Sequence, residues 1–165
     1  MTNDELKMNA LGSSIRDSSF VIEVSAALIF HGGKLLITQR HATSHLGGLW
    51  EFPGGKREVG ETFEQCLVRE IREELGVAIS VGKLFEEIRH DYPEKSVHLK
   101  FFLCQLLSGE PQPLDCAAVK WIDQAELDAH EFPAADAQLI GKLKTRCITQ
   151  PGHKDFHQLT AIEKT

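Results

Sequence analysis

The chain has 165 residues, 42% hydrophobic and 25% charged, with a formal net charge of −6 and a pI near 5.7. That suits one soluble domain around a single core, and it excludes a protein that coats nucleic acid, because a polyanion would meet net repulsion unless local cations intervened. The longest apolar run, VSAALIF, is too short to cross a bilayer, and four cysteines with no CxxC pair and no secretory leader point to a reducing cytoplasm.

Residues 1–18 are polar and carry Gly12, Ser13 and Ser14, the composition of a flexible N-terminal arm. A folded domain is expected over 19–146, followed by a polar C-terminal tail over 147–165. Within the domain, SFVIEVSAALIF, HGG and KLLITQR predict a strand, a glycine turn and a second strand. HATSHLGGLWEFPGG reads as a loop with a short strand around Trp50 to Phe52. The clearest helix runs from Thr62 to Leu75, with Thr62 as N-cap, Gln65 completing a capping box and Gly76 as the stop. VAISVGKLFEEIRHDY and SVHLKFFLCQLL follow as strands joined at Pro93; SGEPQP is a turn and AAVKWI another strand. DQAELDAH and PAADAQLIGKLKTR close the domain as helices, the second with Pro133 in its first turn.

The helix carries an unusual charge pattern. REIREELG, residues 69–76, places Glu70, Glu73 and Glu74 within an arc of about 100°. Like charges at that spacing repel by a few tenths of a kcal/mol per pair. Phe63, Leu67, Ile71 and Leu75 form the adjoining apolar stripe, so one side can pack on a sheet while the glutamates face a cleft. Either that face is solvated, or it holds a hard divalent cation, which takes oxygen ligands and completes its shell with water and phosphates.

The wider stretch, GGKREVGETFEQCLVREIREELGV over 54–77, decides between them. It has Gly55, five residues, Glu61, seven residues, Arg69-Glu70-Ile71, one residue, Glu73-Glu74, one residue and Gly76-Val77. At every defining position this resembles the Nudix box, the signature of Nudix hydrolases. The resemblance implies an α/β (α+β) Nudix fold, a mixed curved β-sheet sandwiched between helices, with the loop-helix-loop of the box forming a metal site for Mg²⁺ or Mn²⁺. It assigns Glu70, Glu73, Glu74 and the Gly54 carbonyl to the metal, with Glu70 also placed to orient or deprotonate the attacking water. Glu61 would be a neighbouring acid in support, and Arg69 would pair with Glu73 one turn on, fixing its rotamer.

The flanks choose a branch. LWEFPGGK, which contains Glu51 and Phe52, and EFPAAD resemble the MutT-like enzymes, which convert nucleoside triphosphates to monophosphates plus pyrophosphate. On that pattern Arg40 would contact phosphate, or is an ordinary strand-end residue; Lys56 would add positive charge. Asp115 would be a further loop carboxylate for metal, or a turn-favouring Asp after Pro113. Phe52, Tyr92 and Asp136 would form the base pocket, with Glu51 beside them in the substrate-binding set. Asp136 stands where 8-oxoguanine readers of the branch carry asparagine. A carboxylate only accepts hydrogen bonds when ionised, whereas an amide also donates, so modified cytidine nucleotides join 8-oxo-dGTP as expected substrates. The alternative for Asp136 is a charge at a helix start.

Eight histidines show no zinc spacing, Cys66 reads as packing, and HGGK reads as a hairpin turn more readily than a phosphate loop. Two further functions compete: hydrolysis of dinucleoside polyphosphates or capped RNA, favoured by Tyr92 lying 16 residues past Gly76, and a non-catalytic nucleotide-binding module, disfavoured by the intact box. The expected partner is a small nucleotide, with no membrane and no stable nucleic-acid complex, the protein being a monomer or homodimer.

Overall fold

The computed structural model describes residues 21–146. The expected N-terminal arm and C-terminal tail lie outside the described residues. Seven strands and two α-helices make up the domain: β1 Val21–His31, β2 Lys34–Gln39, β3 Trp50–Glu51, β4 Gly54–Lys56, α1 Phe63–Leu75, β5 Ala78–Asp91, β6 Ser96–Ser108, β7 Ala118–Ile122 and α2 Ala137–Thr145.

β1 organises the sheet. Ser25 to Phe30 are all buried, as a strand covered on both faces requires. Alternation then divides the core in two. Ala26, Leu28 and Phe30 point to the side of α2, where they meet Phe52, Phe101, Leu139 and Leu143. Ala27 and Ile29 point to the side of α1, among Leu67, Ile71, Leu75 and Phe102. The main strand order is β3-β2-β1-β6-β5, with β4 also on β1 and β7 on β2. β1 and β6 run parallel, Val21 opposite Ser96 through Ile29 opposite Cys104, while the other pairings are antiparallel. The sheet is therefore mixed and lies between helices, as expected.

α1 forms as its sequence dictates. Thr62 Oγ1 accepts from the Gln65 amide at 3.1 Å, Gln65 Oε1 accepts from the Thr62 amide at 2.9 Å, and Gly76 ends the helix at φ 69°. Its C-terminal carbonyls are satisfied by the incoming 112–115 loop. The Gln112 amide donates to Leu75 O at 3.0 Å, and the amides of Leu114 and Asp115 donate to Glu74 O at 3.0 and 3.2 Å.

The closing segment departs from expectation. DQAELDAH is a 3₁₀ helix over Gln124–Ala129, not an α-helix, and six residues give the α form too few hydrogen bonds to prevail. The final helix begins as a 3₁₀ turn, Ala134–Asp136, and becomes α only at Ala137. Pro133 is consequently the residue before the turn, at ψ 150°, and not within a first α-helical turn. Strand β4 was not expected: it is three residues long and exists through pairing with β1, Gly54 opposite Ala26 and Lys56 opposite Val24.

Candidate active site

A cleft of about 510 Å³ opens on the α2 side of β1, within the range of small-molecule sites. Its floor is apolar, with Val24, Ala26, Leu99 and Phe101 among the residues facing it. The box supplies one bank: Gly54, Gly55, Lys56, Glu70, Glu73 and Glu74. Arg40, Glu51, Phe52, Tyr92, Asp115 and Asp136 line the rest. Glu61 and Arg69 are not cleft residues; they stand behind Glu70.

Glu70 is held by Arg69. Arg69 Nη1 donates to its Oε1 at 2.8 Å. Gly55 leaves room for it there: a Cβ at this position would come within 2.2 Å of the Glu70 carboxyl carbon and would displace the carboxylate. Arg69 is committed chiefly to Glu61, with Nε–Oε1 at 2.6 Å and Nη2–Oε2 at 2.9 Å, while its contact with Glu73 is 3.4 Å. The expected Arg69–Glu73 pair is thus the weaker of its bonds, because a two-pronged carboxylate match outcompetes one long contact. Arg69 holds the Glu61 carboxyl down at a pKa of about 2.

Glu74 faces the opposite environment. Buried, it accepts from the Gly54 amide at 3.2 Å, and burial, then the neighbouring Glu51 charge, lifts its pKa to about 8. Glu73 is largely exposed, its side chain 60% accessible. Among the described residues no three His, Cys, Asp or Glu side chains are gathered at metal-ligating distances. Glu70, Glu73 and Glu74 all line the cleft, Glu70 and Glu73 sharing Arg69 Nη1 and Glu74 accepting from the Gly54 amide. Asp115 is at the rim, its side chain 84% accessible and 3.8 Å from His41 Nε2; the backbone bond to Glu74 O brings it there.

The other half of the cleft surrounds Arg40. Its guanidinium pairs with Glu51, and its Nε donates to His45 O at 2.7 Å, so it is a built-in cation and not a loose strand-end residue. Burial raises the Glu51 pKa against the opposing pull of Arg40. Phe52 is core, stacked on Phe132 and edge-on to Phe101. Tyr92 is half-buried, edge-on to His45 and His90, and its hydroxyl interacts with the Ala135 backbone. Lys56 is exposed. Asp136 is only 4% accessible and caps no helix amide. Burial, then the Glu51 charge, pushes its pKa up to about 7, with Arg40 opposing.

Thr38 went unnoticed in the sequence. It is fully buried opposite Glu51 in the β2–β3 pairing, and its hydroxyl lies beside the Glu74 carboxylate, where it opposes the rise of that group's pKa. The signal available was a polar residue on the inward side of an apolar strand, LLIT. Cys66 is buried, and burial with the Glu70 charge raises its thiol to about 11, which keeps it protonated and unreactive.

Known proteins resemble this chain in sequence and fold. The family described as NUDIX domain matches residues 25–142. An 8-oxo-dGTP diphosphatase of Escherichia coli (strain K12) is 39% identical over 111 residues, 67% of this chain and 86% of that protein. A CTP pyrophosphohydrolase of the same organism is 39% identical over 119 residues, 72% of this chain and 87% of that one. The solution structure of DNA mismatch repair protein MutT from methicillin-resistant Staphylococcus aureus superposes with a TM-score of 0.64 at 35% identity, covering 77% of this chain and 98% of that one. On the box, the fold and these relatives, the chain belongs to the Nudix family, among its MutT-like hydrolases.

Proposed function

We propose that this chain hydrolyses nucleoside triphosphates, modified or damaged ones in particular, to the monophosphate plus pyrophosphate, using Mg²⁺ or Mn²⁺. The observation that carries the reading is one cleft with a bank of carboxylates at one end and a buried, uncapped Asp136 at the other.

Nudix hydrolases in general need a divalent metal, and the residues here fit one. The donors of Glu70, Glu73, Glu74 and the Gly54 carbonyl are all hard oxygens, and Glu74, whose pKa is raised first by burial and then by the Glu51 charge, is a carboxylate that a bound cation would stabilise in its ionised form. When bound, the cation offsets the triphosphate charge and polarises the attacked phosphorus. Glu70, fixed by Arg69, orients the attacking water and takes its proton. Glu61 keeps Arg69 in place, and Asp115 supplies a further carboxylate at the rim. Arg40 and Lys56 answer the phosphate charge, with Glu51 setting the position of Arg40. Phe52 and Tyr92 wall the base, and Asp136 reads its polar edge. Cytoplasmic residence belongs to the same reading, supported by the free thiols of Cys66, Cys104 and Cys116.

The relatives named for 8-oxo-dGTP and for CTP bracket the substrate range. A panel of 8-oxo-dGTP, dGTP, CTP, dCTP and a dinucleoside polyphosphate tests it through kcat/KM for each. The mononucleoside triphosphates should be turned over well ahead of the dinucleoside compound. Preference for the dinucleoside polyphosphate would replace this reading with the competing hydrolase, and binding without turnover would replace it with a nucleotide-binding module.

A further inference from the structure

Arg57 belongs to none of the fixed positions of the box, yet the structure joins it to the catalytic wall through an unbroken series of bonds. It follows β4, and its amide extends the β4–β1 pairing by donating to Glu23 O at 2.9 Å. Its side chain then turns back to the same residue: Nε donates to Glu23 Oε2 at 2.6 Å, and Nη2 pairs with that carboxylate as well. The remaining arm, Nη1, donates to the Glu61 carbonyl at 2.6 Å, with the guanidinium carbon 5.4 Å from the Phe63 ring centre.

The segment so pinned has one other tether: the Glu61 carboxylate accepts from Arg69 Nε and Nη2, and Arg69 Nη2 also donates to Lys56 O at 3.1 Å. Glu58, Val59 and Gly60 are exposed, Val59 completely, and Gly60 sits at φ 88°. Inside the loop, the Glu61 amide donates to Glu58 O at 3.2 Å and the Glu58 amide to Glu61 Oε2 at 3.0 Å. These close the turn on itself without attaching it to the domain. Ser25 Oγ donates to Phe63 O at 2.8 Å, which fastens the start of α1 but not the loop before it. The Glu61 carbonyl is fastened to the sheet by Arg57, while its carboxylate grips Arg69, which donates both to Glu70 and to Lys56 O of β4.

We infer that Arg57 is a positioning residue for catalysis: anchored on Glu23 of β1, it fixes Glu61, and through Glu61 and Arg69 it sets the orientation of the Glu70 carboxylate. This rests on the proposed role of Glu70. Guanidinium geometry is needed because one planar fork must serve a carboxylate and a carbonyl at once, which a single ammonium does poorly.

The test uses the full chain with Mg²⁺ and its best triphosphate, comparing Arg57→Ala, Arg57→Lys, Glu23→Gln and Glu61→Gln with the unaltered protein. Arg57→Ala should lower kcat roughly 10- to 100-fold, the scale for groups that orient ligands, with KM within about twofold, since Arg57 touches no substrate. Arg57→Lys should regain the melting temperature but only part of kcat. Glu23→Gln should show a smaller loss of the same kind, and it carries the test if Arg57→Ala fails to fold. Arg57→Ala combined with Glu61→Gln should be no slower than Glu61→Gln alone, because both act along one path. An Arg57→Ala enzyme with unaltered kcat and a lowered melting temperature would overturn the inference and leave Arg57 a structural strut. So would losses that multiply independently in the double variant. Failure of the hydrolase reading itself would appear separately, as absence of turnover by the unaltered chain.

Discussion

Replacing Glu74 with Gln is expected to lower kcat at least about 10²-fold, the scale of losing one preorganised charge at a reacting centre, while raising the melting temperature of the metal-free protein. The two effects have one cause. Burial and the Glu51 charge hold the Glu74 pKa near 8 in the folded state, against an ordinary 4.5. A carboxyl raised in this way binds its proton more tightly folded than unfolded. Stability is therefore undiminished below the unfolded value, falls as pH rises from there to the folded value, and stays reduced above it. Gln has the shape of the protonated acid and carries none of that penalty. Thermal unfolding in chelator should show Glu74→Gln gaining several degrees at pH 9 and nothing at pH 4. Glu73→Gln provides the contrast: its side chain is 60% accessible, so turnover should fall comparably without a gain in melting temperature. Loss of activity together with gain of stability is the expected mark of a site that sacrifices one for the other. If both variants kept near-normal rates, Glu73 and Glu74 would have no part in the reaction.

The second large effect belongs to Asp136. With its carboxyl near pKa 7 in the fold against an ordinary 3.8, it should change from hydrogen-bond donor to acceptor within the working pH range. Below pH 7 the protonated acid can donate to guanine O6, as an asparagine amide does. Above it, the carboxylate favours an exocyclic amine such as the N4 amine of cytosine. Asp136→Asn should raise kcat/KM for 8-oxo-dGTP relative to CTP by roughly 5- to 150-fold, the value of a buried hydrogen bond made or left unpaired. The change should be large at pH 8.5 and small at pH 6, where the native acid already resembles the amide. The sign for stability follows the same logic: Asp136→Asn should melt higher than the native protein above pH 7 and converge with it towards pH 4. An unchanged ranking across the panel at both pH values would remove Asp136 from the base pocket. The assignment of Glu70, Glu73 and Glu74 would survive that outcome, because it rests on the box.

Much of this site is legible in the sequence, for a physical reason: its central element is local. A capping box, a left-handed glycine and an apolar stripe at helical spacing specify α1 within fifteen residues, Thr62 to Gly76. The rest depends on contacts between distant segments. Arg69 prefers Glu61, eight residues back through a loop, to Glu73 one turn ahead, and helix spacing rules see only the latter. β4 exists through its register with β1, and DQAELDAH has helical composition but too few residues to complete α geometry. Burial of Asp136 cannot be read from EFPAAD, where an acid after proline and two alanines looks like a helix start. It needs Arg40, Glu51 of β3 and the 134–136 turn to meet at the cleft. Arg57 is silent for the same reason, since its partner Glu23 lies 34 residues away.

The measurement that bears most directly on the central claim is phosphorus NMR of a triphosphate reaction during a Mg²⁺ titration, ended by excess chelator. A rate that rises with Mg²⁺, products that are monophosphate and pyrophosphate in equal amounts, and arrest on chelation are the expected results. Release of orthophosphate, or turnover that continues undiminished in chelator, would contradict the account.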